Sequence, residues 1–508
     1  MKSRDRNATG AARIRLRKAS LDKDLNKLSH VEESARSSGL SLLSPGIALV
    51  FLALSAVLAT TQIGGQSSVV ILVVAAVLAG YMALNIGAND VANNVGPAVG
   101  SRALTLFGAL IIAAVFESAG ALLAGGDVVK TISKGIIDPN AVSSSQSFIA
   151  IMMSALCASA VWVNIATYVG APVSTTHAVV GGVVGGGISA VGVSVVNWKI
   201  MSAIVASWVL SPVMGGVIAA IFLAFIKANI IYKDDKIAAA KLWVPALVAI
   251  MCSAFTAYLM IKGLGRIWKP SFEVVMVATV LVFGISFAVL RPLIRRQSEN
   301  LENRNQSLRK LFQLPLICSA ALLSFAHGAN DVANAVGPLA GIVHSAETGI
   351  VAGAVRIPIW IMIIGAIGIS MGLFLFGARV INTVCEQNTK MNHIRAFCVA
   401  LSTAITFVIA SSFGLPVSST HIAVGAVFGV GFFREYFITH SRIRHGYLRR
   451  KGIRRTAEYK PIADRQELVR RKLVRRSHFN VIVAAWLVTV PAAAILSACL
   501  YQLLQSIM

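Results

Sequence analysis

The chain has 508 residues, of which 56% are hydrophobic and only 13% charged, with a mean hydropathy of +0.75. Soluble domains carry about 45–50% apolar and about 25% charged residues, so this composition excludes a large soluble enzyme, a disulfide scaffold and a disordered chain, and leaves a polytopic membrane protein. The formal charge of +25, from 46 Lys and Arg against 21 Asp and Glu, does not call for nucleic acid: the cations sit in short stretches between apolar segments, as in loops that face anionic lipid.

In chain order, some forty polar and basic residues precede the first apolar run near Pro45, so no cleavable signal peptide is read. A membrane helix needs about 20 apolar residues. The segments that qualify are Ile47 to Gln62, Val69 to Ile86, Ala103 to Ala124, Ile149 to Val169, Val173 to Val195, Ile200 to Ile226, Leu242 to Ile261, Val274 to Leu293, Leu311 to Phe325, Ile350 to Phe376, Ala396 to Phe413, Val417 to Phe433 and Val481 to Leu504. Two neighbouring pairs are joined too tightly for ordinary loops, at Tyr168 to Val173 and at Ser411 to Val417. Each pair either crosses twice or turns round inside the protein, where non-helical backbone is tolerated against protein or a water-filled cavity. Cys157, Cys252, Cys318, Cys385, Cys398 and Cys499 are scattered, without Cys-x-x-Cys spacing, and read as packing residues.

With the N-terminus in the cytoplasm, all but seven of the 46 cations fall inside, the seven being Lys130, Lys134, Lys199, Lys262, Arg266, Lys269 and Arg356. The largest inside cluster carries Arg449-Arg450, Arg454-Arg455, Arg470-Arg471 and Arg475-Arg476. The bias sets the expected orientation, with the C-terminus on the periplasmic or extracellular side.

The chain also repeats itself. Gly87-Ala88-Asn89-Asp90-Val91-Ala92-Asn93-Asn94-Val95-Gly96-Pro97 recurs 241 positions on as Gly328-Ala329-Asn330-Asp331-Val332-Ala333-Asn334-Ala335-Val336-Gly337-Pro338. Pro172-Val173-Ser174-Thr175-Thr176-His177 recurs 244 positions on as Pro416-Val417-Ser418-Ser419-Thr420-His421. Three crossings separate the two units, so the topology predicts inverted repeats, an arrangement that places substrate and ion sites near the bilayer midplane.

Asp90 and Asp331 lie in or beside apolar segments, where an ionised carboxylate costs about 2.5–3.5 kcal/mol on insertion scales and needs a cation, hydrogen bonds or a proton. Nearby amides and glycines, which loosen a helix and expose carbonyls, suit a hard cation. Pro172 and Pro416 favour helices that begin just after them, with Ser174, Thr175, Thr176 and Ser418, Ser419, Thr420 in the first turns. There free N–H groups, the dipole and the hydroxyls form a cradle for a tetrahedral oxyanion. Such residues also serve as simple caps, and the duplication is what favours the site. His177 and His421 read as structural hydrogen-bonding groups rather than proton relays. Glu117, a lone acid in an apolar run, fits an ion site and a partnered structural carboxylate equally.

These paired elements resemble the inorganic phosphate transporter (PiT) family of cation-coupled secondary transporters, over roughly residues 68 to 505. The resemblance implies symport of inorganic phosphate with Na⁺ or H⁺, in some bacterial members as a metal–phosphate complex, with no other cofactor and no enzymatic activity. It assigns Asp90, Asn93, Ser174, Thr175, Thr176, Asp331, Asn334, Ser418, Ser419 and Thr420 to substrate, and Asn89, Asp90, Asn330 and Asp331 to the cation. Asn94 against Ala335 and Ser419 against Thr175 depart from strict repetition.

The expected fold is an all-α membrane protein, a polytopic helical bundle with two inverted-topology repeats, interrupted helices and two re-entrant helical hairpins. Its parts are a basic cytoplasmic tail (1–44), an extra transmembrane segment (45–66), repeat 1 (67–230), connecting helices with a basic loop (231–310), repeat 2 (311–433), a basic cytoplasmic loop (434–478) and a last transmembrane helix (479–508). The expected location is the cell (inner) membrane, with anionic lipid at the basic loops and a homo-oligomer left open.

Two aspartates and a phosphate dianion in one low-dielectric site repel, so cations must bind with the anion. Monohydrogen phosphate offers an aspartate a proton that sulfate lacks, which favours phosphate over a sulfate permease of the same architecture. An anion channel would need a continuous polar path. A membrane phosphotransferase would need an electrophilic clamp, and only Arg102 lies near either motif.

Overall fold

The computed structural model describes residues 42–62, 69–169, 173–263, 270–351, 357–387, 391–450 and 476–507. Most of the N-terminal tail, Pro172, Arg266, Lys269, Arg356 and the basic run 451–475 lie outside them. The chain comprises two compact units, Met1–Leu49 and Val50–Met508; of the first, residues 42–49 are described and are helical.

The described residues form helices and carry no strand beyond one isolated bridge between Ile137 and Val196. The helices are α1 (Leu42–Gln62), α2 (Val69–Gly100), α3 (Leu106–Ala124), α4 (Gly126–Lys134), α5 (Ser145–Val169), α6 (Thr175–Val191), α7 (Trp198–Ile226) and α8 (Lys236–Tyr258). They continue with α9 (Phe272–Gln297), α10 (Asn305–Leu311), α11 (Gln313–Thr348), α12 (Ile359–Gln387), α13 (His393–Ser412), α14 (Ser419–His440), α15 (Arg442–Arg450) and α16 (Arg476–Ile507). Twelve of the described helices are long and apolar enough to cross a membrane. The segment expected at Val173 to Val195 is the 17-residue α6, which falls short of that length.

Side-chain caps fix several starts: Thr105 accepts from the Gly108 amide, Asn197 from Ile200, Asp235 from Ala238 and Asn392 from Arg395, each supplying a partner for a free first-turn N–H. A large apolar core, including Phe312, Leu323, Phe397 and Phe407, gathers α7, α8, α11, α13 and α14.

The expected interruption at the Gly-Ala-Asn-Asp elements is corrected by the structure. α2 runs unbroken through Gly87 and Gly96, and α11 through Gly328 and Gly337. Deep in an apolar bundle an opened turn would strand carbonyls, so the backbone keeps its helical bonds and the glycines serve close approach instead. Gly87 lies against the carbonyl of Ile369 on α12, and Gly328 against that of Glu117 on α3. The reverse contacts match: Gly372 of α12 meets the Leu84 carbonyl, and Gly120 of α3 meets that of Phe325. A second set joins α6 to α16, through Gly181 on Val490 and Gly185 on Ala494, and α14 to α7, through Gly425 on Pro212 and Gly429 on Gly216. The chain leaves the helical conformation before α6, where Val173 and Ser174 are non-helical, and between α13 and α14, where Gly414 takes a φ of +67°.

Candidate functional site

Both hydroxyl elements sit at helix starts, as the sequence predicts. Ser174 caps α6, its Oγ accepting from the His177 amide at 3.1 Å, and Ser418 caps α14, accepting from the His421 amide at 3.4 Å. Thr175 and Thr176 open α6, and Ser419 and Thr420 open α14. All six side chains are buried.

The two tips meet each other. Thr176 Oγ1 donates to the Val417 carbonyl at 3.0 Å, and Thr420 Oγ1 to the Val173 carbonyl at 3.4 Å. Each tip also receives the asparagine of the other half: Asn93 Nδ2 donates to Thr420 Oγ1 (3.0 Å) and Ser419 Oγ (3.3 Å), and Asn334 Nδ2 to Thr176 Oγ1 (3.1 Å). Thr175 Oγ1 donates to Asp90 Oδ2 at 2.9 Å, and Asn93 Nδ2 reaches Asp90 Oδ1 at 3.3 Å.

Asn89 and Asn330 do a different job from their neighbours. Asn89 Nδ2 donates to Thr167 Oγ1 at the end of α5 (2.9 Å), and Asn330 Nδ2 to Ser411 Oγ at the end of α13 (3.1 Å). Asn330 also accepts from the Val417 amide at 3.3 Å and donates to the Leu415 carbonyl at 3.1 Å. Both asparagines thereby tie a motif helix to the connection that carries a hydroxyl tip.

Asp90 and Asp331 have no solvent exposure, and between them stands His327, also fully buried. Its Nε2 is 2.9 Å from Asp331 Oδ2 and 3.9 Å from Asp90 Oδ2, while its Nδ1 is 3.5 Å from Glu117 Oε2. Glu117 Oε1 accepts from Asn94 Nδ2 at 2.7 Å. The 2.9 Å contact of His327 with Asp331 is short, but neither group forms a well-aligned hydrogen bond there. Asp331 Oδ1 and Asn334 Oδ1 are buried acceptors without a hydrogen-bond partner among the described residues. One ligand atom from each of Asp90, His327 and Asp331 lies within 4.8 Å of the others, close enough to share one cation.

His327 escaped the sequence reading. The available signal was a histidine one helical turn before Asp331, but its repeat counterpart is Ile86, so the duplication does not mark it. Glu117 is partnered by Asn94 and His327, whereas the corresponding residue on α12, against which Gly87 packs, is Ile369. His177 and His421 meet edge to face at 4.3 Å, and Trp208 packs on His177 at 3.8 Å.

This site lies inside the stretch, residues 86–497, that matches the model of the phosphate transporter family. The chain belongs to that family. Members of the phosphate transporter family are transporters rather than enzymes, and the twelve apolar helices are those of a multi-pass membrane protein. A Helicobacter pylori protein described as "Putative phosphate permease" is 42% identical over 94% of this chain and 98% of its own length. One so described from Chlamydia muridarum is 38% identical over 86% of this chain and 99% of its own. A solved structure titled "The sodium-dependent phosphate transporter" superposes with a TM-score of 0.74 at 35% identity, covering 86% of this chain and all of that one.

Proposed function

We propose that this protein moves inorganic phosphate across the cell membrane by symport with Na⁺, through alternating access to a site between the two hydroxyl tips. The observation that carries the reading is the convergence of both repeated motifs: Asn93 on Thr420, Asn334 on Thr176 and Thr175 on Asp90, all buried. Thr175, Thr176, Ser419 and Thr420, with the first-turn amides of α6 and α14, supply donors for phosphate oxygens. Asp90, Asp331 and the unpartnered Asn334 Oδ1 supply hard oxygen ligands for the cation.

Coupling follows from charge. A dianion beside two buried carboxylates is opposed by several kcal/mol even at an effective dielectric constant of about 20, so anion and cation enter together. The reciprocal glycine contacts, α2 on α12 and α11 on α3, support two inverted repeats that rock against one another around this centre. The α6 and α14 tips are read as the turns of re-entrant hairpins, and the charge bias places the N-terminus in the cytoplasm.

One observation favours H⁺ as a second reading of the driving ion: the imidazole of His327, held between Asp331, Asp90 and Glu117, offers a proton carrier inside the site. The two readings separate in proteoliposomes. Radiolabelled phosphate uptake is measured with a Na⁺ gradient or a pH gradient imposed alone and sulfate as competitor. Concentrative uptake under the Na⁺ gradient, undiminished by sulfate, is expected. Uptake driven by pH alone selects the proton reading, and failure of either gradient to concentrate phosphate refutes symport.

A further inference from the structure

At the far end of α7 and α14 from the hydroxyl tips, Lys227 is only 7% exposed, and its Nζ has no hydrogen-bond partner among the described residues. Two rings flank the ammonium, Phe437 at 4.3 Å and Phe433 at 5.1 Å from centroid. Arg434, Arg395 and Arg444 add positive charge around it. Ring faces attract a cation only weakly, which does not offset an ammonium buried with no hydrogen-bond partner among the described residues. Lys227 calls for an anion.

Phe433 has a second neighbour. It forms one end of a groove of about 1540 Å³ between α7, α14 and α16, walled by Val213, Phe428 and Leu487 and floored by His177 and His421. From His421 to Phe433 the groove follows α14 for about 18 Å, close to the roughly 15 Å depth of one leaflet's hydrocarbon. Val213 and Leu487 are 60% and 71% exposed, so the wall opens sideways toward lipid. A free oxyanion would answer the cations alone and an apolar partner the groove alone.

We propose that this groove holds an anionic phospholipid, its phosphate at Lys227, where Arg395 and Arg444 add positive charge, and an acyl chain against Val213 and Phe428. The bound chain reaches the backs of His177 and His421, directly behind the two transport tips. This site is separate from the one proposed for transported phosphate: it lies at the membrane surface and recognises a phosphodiester with its tail.

The test uses the full-length protein, purified, delipidated and returned to nanodiscs of phosphatidylglycerol or phosphatidylcholine, with retained lipid counted by native mass spectrometry. The expected result is about tenfold preferential retention of phosphatidylglycerol, lost in Lys227→Met. Val213→Trp, on the exposed wall, is expected to expel either lipid while leaving the protein folded by its melting transition. Equal retention of the neutral lipid overturns the proposal. So does displacement of phosphatidylglycerol by millimolar inorganic phosphate, or a disulfide between two copies of Val213→Cys, which would make the groove a protein interface.

Discussion

Thr175 provides a sharp test because its hydroxyl is the shortest hydrogen bond to Asp90, 2.9 Å from Oδ2, in a fully buried setting. Thr175→Val removes the donor and keeps the shape. A hydrogen bond to a charged acceptor is worth about 1.5–3 kcal/mol, which corresponds to about tenfold to a hundredfold in an equilibrium constant. Where the hydroxyl turns from Asp90 to a bound oxyanion, or holds Asp90 for the cation only in the occupied site, the loss falls on binding; a bond kept equally in both states would cancel from affinity and lower stability instead. Phosphate uptake in proteoliposomes should therefore show a KM for phosphate or Na⁺ raised by up to that factor. Thr175→Ser retains the donor and should stay within about threefold of the parent. Wild-type KM values for both ligands in the valine variant would refute the role assigned to this hydroxyl.

Asp90→Asn and Asp331→Asn should each abolish concentrative uptake, and Glu117→Gln should reduce it by at least about tenfold by removing a charge 3.5 Å from His327; initial rates measure all three. Gly328→Ala and Gly120→Ala drive a methyl into a neighbouring carbonyl and should destabilise by about 1–3 kcal/mol. Gly284→Ala, with open space around it in α9, should stabilise by about 1 kcal/mol; thermal melting in detergent compares the three. Asp127 also predicts a pH effect. Partial burial pushes its carboxyl up, but Lys262 at 2.8 Å and Lys130 at 3.6 Å hold it below the ordinary range. The stabilisation it brings is complete above the unfolded-state carboxylate pKa and is lost as pH falls through the depressed one. Asp127 is 43% exposed, so the effect is small, and Asp127→Asn should flatten the acid limb of a melting-temperature profile by about a degree or two.

The site was legible wherever the sequence repeats. The Asn-Asp and hydroxyl elements announced themselves by duplication, and Asn93, Asn334, Thr175 and Thr420 indeed converge. Two things were hidden for physical reasons. Glycine in a helix reads as a weak point by intrinsic propensity, yet Gly87 and Gly328 stay helical because the surrounding helices reward close backbone approach. His327 has an apolar counterpart, and its importance comes from three carboxylates that α2, α3 and α11 bring to it across the bundle, which no local pattern records.

The reciprocal contacts of Thr176 with Val417 and of Thr420 with Val173 act as a clasp. Threonine has one carbon between backbone and hydroxyl, so the clasp has almost no slack: parting the tips by an ångström or two undoes both fastenings at once. In the proposed transport cycle, opening would thereby be a threshold event rather than a gradual one, and a cargo whose own oxygens could take over the released hydroxyls would lower that threshold only when in place.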